Sequence, residues 1–210
     1  MYLSRVEIDD NNRQKIMDLS HLGAYHNWVE NCFPSEIAHH ERLRHLWRID
    51  NLQGKRYLLL VSEEKPNLTE LQRYGVPETA TTIDYQPFLN KLEDGQVVRF
   101  RLVANPVYRT HGKYFPHITV KQQMNWLIQR AAKAGFEFTK VGNNGYSFDI
   151  VNRDWPLLFH KNNRVKLSRV TFEGSLKITN ANVLVNVLKK GIGRERAYGM
   201  GMLTVIPQFN

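Results

Sequence analysis

Along this chain the spacing of apolar residues switches between a period of two and a period near 3.6 in the order strand, helix, strand, strand, helix, strand, and then repeats that order. Few folds accommodate this, because a period of two buries one face of a strand and a period of 3.6 buries one stripe of a helix. The first round opens with an alternating strand over 2–8. A helix over 22–33 follows, with Leu22, Tyr25, Val29, Cys32 and Phe33 on one face and Pro34 as its stop. Runs over 43–49 and 56–62 flank the turn residues 51–54 as a hairpin. A short helix over 67–74, closed by Gly75, and a strand over 79–83 complete the round. The second round has a strand over 97–103 and a helix over 120–134. Thr119 and Gln122 form a capping-box pair at the start of that helix, and Gly135 caps its end. Strands over 136–141 and 146–151 come next, then an extra hairpin of 157–160 and 165–178 about a polar turn. A helix over 181–190, ended by Gly191, and a strand over 202–206 close the chain.

The expectation is an α+β protein of tandem ferredoxin-like (RRM-like) βαββαβ domains, with an extra basic hairpin in the second. The halves share a pattern but no literal repeat. The polar turn at 90–95 puts the expected boundary between domains 1–92 and 93–210. A hydrophobic share of 42% is enough for packed cores. The balance of 29 basic against 20 acidic residues gives a net charge of +9, which favours a polyanionic partner over a merely soluble surface. One cysteine, Cys32, excludes a disulfide framework or a cysteine-based zinc site within the chain, and reads as a small core residue. The opening residues carry Arg5 and Glu7 in a strand pattern rather than a signal sequence, and no apolar run is long enough to span a bilayer. The expected location is the cytoplasm, with no membrane partner.

Three segments offer chemistry. In DLSHLGAYHNWVENCFP (18–34), His26 falls between Leu22 and Val29 at the edge of the apolar face, where an imidazole can meet both core and groove. Its ordinary pKa lets it donate or accept a proton near neutrality. Tyr25 is adjacent and His21 about one turn away; a structural role is the competing reading. His39 and His40 point apart, belong to no carboxylate–histidine motif, and read as solvent-facing or loop residues. GIGRERAYGMGML (191–203) holds four glycines around Arg194 and Arg196, lacks the nucleotide-loop pattern, and reads either as a phosphate-meeting loop or as a helix cap plus tight turn. The hairpin with His160, Lys161, Arg164, Lys166 and Arg169 reads either as a ribbon for nucleic acid or as a charged edge guarded against aggregation. Arg109, His111 and Lys113 add charge in an expected loop after 97–103. The aromatic signature of RNA-recognition modules is absent.

Several of these segments match one family. FRLVANPVYRT (100–110) resembles the F-R-L-x-A-N-P pattern that opens the second domain of the CasE family. VTFEGSLKITN (170–180) resembles its F-E-G-x-L strand, and GIGRERAYGMGMLTV (191–205) its terminal glycine-rich loop. His26 with Phe33 and Pro34 is similar to its H-x6-F-P element. The family comprises the CRISPR repeat-RNA endoribonucleases of type I-E Cascade systems. The resemblance implies CRISPR repeat hairpin RNA as substrate and metal-independent cleavage at the 3′ base of the stem, with no cofactor. The expected ends are a 2′,3′-cyclic phosphate and a 5′-hydroxyl, with the product retained beside other Cascade subunits. The family histidine falls on His26. A tyrosine that some members carry three positions earlier is Gly23 here, so Tyr25 stands as its substitute, and Lys113 is the other expected helper of phosphorane charge. RNA contacts are expected from Arg101, Arg109, Lys113, Lys161, Arg164, Lys166 and Arg169. In the loop they are expected from Gly191, Gly193, Arg194, Arg196, Gly199 and Gly201. The free protein is expected to be monomeric. The alternatives are a non-catalytic hairpin-RNA-binding subunit of the same complex, with His26 structural, or a scaffold for acidic protein partners.

Overall fold

The computed structural model describes residues 1–40, 43–142, 145–160 and 163–207. The first half contains β1 (Tyr2–Glu7), α1 (Arg13–Asp18), α2 (Leu22–Asn31), α3 (Pro34–His39), β2 (Leu46–Leu52), β3 (Lys55–Ser62), α4 (Leu68–Gln72), β4 (Thr81–Asp84) and α5 (Gln86–Leu89). Its sheet has the order β2-β3-β1-β4, all antiparallel. Central β1 registers Tyr2 against Ser62 on one side and Asp84 on the other. The expected elements are present. The additional helices α1, α3 and α5 have six, six and four residues, too short to leave a periodic signature.

The second half contains β5 (Val97–Ala104), β6 (Val107–Thr110), β7 (Lys113–Pro116), α6 (Val120–Ala131), β8 (Phe136–Glu137), β9 (Lys140–Val141), β10 (Gly145–Tyr146), β11 (Phe148–Asp154), β12 (Leu157–His160), β13 (Asn163–Lys166), β14 (Arg169–Ile178), α7 (Ala181–Lys190) and β15 (Leu203–Pro207). The path β11-β14-β5-β15 follows the order of the first sheet, with β8 added as a fifth strand paired to β14, so both halves are ferredoxin-like. The Thr119–Gln122 capping box opens α6, and Gly135 takes the left-handed conformation (φ 80°) after it. Four sequence expectations change. The run 136–141 breaks into the short strands β8 and β9, and the run 146–151 breaks at Ser147 into β10 and β11, which belong to different sheets. The run 165–178 divides at Leu167 and Ser168, because Leu157–Lys166 folds back as a separate ribbon whose base is closed by Leu167 N–H donating to the Pro156 carbonyl (3.1 Å). The expected loop carrying Arg109 and Lys113 is a hairpin of β6 and β7, turned by His111 (φ 46°) and Gly112 (φ 75°). Two successive positive φ angles make the tight turn that suits strand twist.

The cores do not follow the two halves. Val6, Ile8, Trp47, Leu58 and Leu60, on one face of the first sheet, pack with Leu22, Tyr25, Trp28 and Val29 of α2, and with Val103, Leu158, Leu167 and Met200 of the second half. Leu46 and Val61 on the other face join the main core of the second half, with Leu102, Trp126, Phe172 and Leu188. Arg48 ties the seam. Only 2% exposed, it pairs with Asp50 and donates to the carbonyls of Arg101 (3.1 Å) and Met202 (3.2 Å) and to the Thr204 hydroxyl (2.9 Å). With these partners its buried charge is satisfied. Among the described residues no helix is long and apolar enough to cross a membrane.

Candidate active site

Helix α2 is fixed at three points. The His21 imidazole caps it by accepting from the Ala24 N–H (3.3 Å), the Trp28 indole donates to the Glu70 carbonyl (3.0 Å), and its apolar stripe is buried. A turn of about 100° per residue sends neighbours Tyr25 and His26 to different surroundings. Tyr25 lies in the core, stacked on Trp47 (5.8 Å between centroids), with its hydroxyl accepting from Arg56 (3.3 Å). It lines a concavity of about 610 Å³ that includes Arg48, Arg56, Arg101 and Arg169. His26 instead lines a separate concavity of about 410 Å³, with its side chain 32% exposed. Tyr25, the expected substitute tyrosine, and His26 therefore line different concavities.

The residues around His26 come from other parts of the chain. Tyr198 meets its ring edge-on at 5.6 Å. Glu30, one turn along α2, places Oε1 3.8 Å from His26 Nδ1, and the same oxygen lies 3.0 Å from Nδ1 of His45. Nε2 of His45 lies 3.0 Å from Glu36 Oε1, and its ring stacks on Phe33 at 3.8 Å. Burial alone would lower the His45 pKa. The hydrogen bonds and negative charge of Glu30 and Glu36 outweigh burial and hold it above the ordinary histidine value.

Tyr198 belongs to the glycine-rich loop, and the geometry revises the expectation for its glycines. The close approach they permit is to the protein itself. A Cβ on Gly199 (φ 75°) would sit 2.6 Å from the Trp47 ring, and one on Gly193 3.0 Å from Trp126. Gly191 abuts Leu46, and Gly201 abuts the Ile192 carbonyl. The N–H of Gly201 is already bonded to the Val103 carbonyl (2.6 Å), and the Trp47 indole donates to the Ala197 carbonyl (3.0 Å). The loop is thus strapped across both halves and carries a helical turn at Arg196–Tyr198 to His26. Arg196 donates to the Lys190 carbonyl (2.7 Å), and burial together with the nearby Arg44 lowers its pKa.

The other end of the loop meets the β6–β7 hairpin. The Arg194 guanidinium lies 3.9 Å from the centroid of Tyr114, and Arg109 lies 5.8 Å from the same ring. Lys113 is exposed beside that turn. On the β12–β13 ribbon, Arg164 and Lys166 are exposed, two residues apart and so on one face. Arg164 lies over Phe159 (5.4 Å), whose ring meets His21 at the start of α2 (5.2 Å). Lys161 lies outside the described residues. Two expected RNA contacts carry protein partners: Arg101 is paired with Glu173 and Asp50, and Arg169 with Asp154. Among the described residues, Arg109, Lys113, Arg164 and Lys166 form no ion pair, and no group of three or more His, Cys, Asp or Glu is arranged to hold a metal. Sequence reading missed Tyr198, Tyr114, His45 and Glu36. For Tyr114 the His111–Gly112 turn was a usable signal; for the rest, only tertiary contact marks them.

A family model described as CRISPR associated protein matches residues 1–207. The CRISPR-associated endoribonuclease Cse3 of Thermus thermophilus is 26% identical over 216 residues, covering 99% of this chain and 100% of that protein. The CRISPR system Cascade subunit CasE of Escherichia coli K12 is 27% identical over 213 residues, with the same coverage of each chain. The structure of CRISPR endoribonuclease Cse3 bound to a 19 nt RNA aligns with a TM-score of 0.83 at 25% identity, over 99% of this chain and 100% of that one.

Proposed function

The chain belongs to the CRISPR-associated protein family, and from that membership we propose that it is an endoribonuclease that cuts CRISPR repeat RNA and remains with the product as a Cascade subunit. Its curated relatives, matched end to end, are named as an endoribonuclease and as a Cascade subunit. The observation that carries the reading is the position of His26. Its partly exposed imidazole meets Tyr198 on a loop whose Arg194 leads to a hairpin of exposed cations and aromatic rings.

The reaction is a transesterification. The 2′-oxygen at the cut site attacks the adjacent phosphorus and loses its proton. The P–O5′ bond breaks, and the departing 5′-oxygen gains a proton. The ends are a 2′,3′-cyclic phosphate and a 5′-hydroxyl. The nucleophile belongs to the substrate, so the protein supplies proton transfer, in-line alignment and charge stabilisation. His26 moves the proton. Arg109, Lys113 and Arg194 at one hairpin, and Arg164 and Lys166 at the other, neutralise phosphates and hold the stem. Tyr25 takes the role of a core residue that shapes α2. The cations that hold the stem before cleavage still hold it afterwards, so turnover is limited by product release.

The test is cleavage of a repeat hairpin by wild type and His26→Ala in EDTA, with binding measured in parallel and the product ends identified. The expected result is one cut at the stem base by wild type. The variant binds equally and cuts at least about 100-fold more slowly. Tight binding without cleavage by either protein makes the chain a binding subunit.

A further inference from the structure

Behind His26 lies a row of alternating charge. Glu36 and His45 have side chains only 4% and 2% exposed, whereas Glu30 and His26 are about one third exposed, at 31% and 32%. The row therefore runs from the interior to the site. Both Glu36 oxygens are fixed: Oε1 by His45, and Oε2 by the Leu43 N–H at 3.0 Å. A partly buried carboxylate–imidazole–carboxylate arrangement is a weak way to hold α2 and α3 against the start of β2, because apolar side chains of similar volume often do that as well. With His45 protonated, Glu36, His45 and Glu30 carry a net charge of −1. The oxygen that faces the site belongs to Glu30 and is shared between His45 and His26.

We propose that Glu30, His45 and Glu36 are positioning residues for His26. Glu30 engages the imidazole at Nδ1, and the net negative charge of the row favours the imidazolium. The proposal rests on His26 as the proton-transfer group. The geometry alone gives the link: one carboxylate oxygen lies within ion-pair distance of both imidazoles, and the second imidazole is clamped on its far side. Other titratable groups at the row are Tyr198 from the loop, which meets the His26 ring, and His40 after α3, which lines the same concavity. Changes at Glu30 and Glu36 address the row itself, since each removes one carboxylate charge from it.

The test uses the full chain as Glu30→Gln and Glu36→Gln, with folding checked by circular dichroism. The His26 imidazole is titrated by NMR, and single-turnover cleavage of saturating hairpin RNA is followed between about pH 5 and pH 9. Glu30→Gln should move the His26 midpoint, and the matching limb of the rate profile, to lower pH by about half a unit. That corresponds to about a threefold change in rate on the limb, with RNA affinity unchanged within about twofold. Glu36→Gln never touches His26, yet should move it in the same direction by less, because His45 then cancels the charge of Glu30. Coincident titration curves for wild type and Glu30→Gln overturn the proposal. A His26→Ala protein that still cuts at the wild-type rate removes the functional reading instead, and the NMR titration then judges the electrostatic link alone.

Discussion

Replacing Gly199 by alanine isolates what the glycine-rich loop does. Gly199 has φ 75°, and its added Cβ would lie 2.6, 2.9 and 3.0 Å from three atoms of the Trp47 ring. Contacts between carbons are comfortable at roughly 3.5–4.0 Å, so the ring must retreat by about 1 Å. It has nowhere to go: Trp47 is 2% exposed, stacked on Tyr25, and bonded through its indole to Ala197 of the same loop. The left-handed backbone costs about 1–2 kcal/mol for a residue with a Cβ, and overpacking adds about 1–3 kcal/mol. Gly54 provides the control. It has φ 77° in the β2–β3 turn, and nothing lies within 4 Å of its added Cβ, so Gly54→Ala carries the backbone cost alone. Urea unfolding should place Gly199→Ala about 1–3 kcal/mol below Gly54→Ala. In thermal terms, for a chain of this size, the gap is about 2–12 °C. Gly199→Ala should also lose cleavage, because the displaced loop carries Tyr198 away from His26, while Gly54→Ala should cut normally. Equal stability of the two variants would refute the argument that this glycine exists for packing on Trp47.

Two further outcomes follow from charge. Removing the exposed pair as Arg164→Ala/Lys166→Ala should flatten the slope of log affinity against log salt by about 1.4–1.8. Arg169→Ala, whose cation is already held by Asp154, should change the slope less, as filter binding across a salt series will show. His45 supplies a pH dependence of stability. Its folded pKa is raised, so its contribution is fully present below the ordinary histidine value of 6.5 and is lost as pH rises through the folded value. Wild type should therefore exceed His45→Gln in unfolding free energy by more at about pH 6 than at about pH 9, and a gap that is constant with pH would contradict the charged arrangement.

Local pattern determined much of this protein. The doubled βαββαβ order follows from alternation within strands and 3.6-residue spacing within helices, because each element buries a face that its own residues define. The Thr119–Gln122 box and Gly135 are likewise local instructions, and both are formed as written. The position of His26 at the edge of α2 was legible because Leu22, Tyr25 and Val29 fix the buried stripe beside it. Local pattern stops at the contacts between elements. His26 meets Tyr198 from the far end of the chain, whereas neighbouring Tyr25 is turned into the core, since one residue of helix turns a side chain by about 100°. The glycines of the terminal loop announce a close approach but not its target, which the packing of Trp47 and Trp126 decides. Arg101 and Arg169 look identical in sequence to Arg164, yet Glu173, Asp50 and Asp154 hold the first two. The row Glu36–His45–Glu30 exists only once α3, β2 and α2 meet. Charge acts through space, and a sequence records only which charges are available, whereas the fold sets which of them stand within a few ångströms of each other.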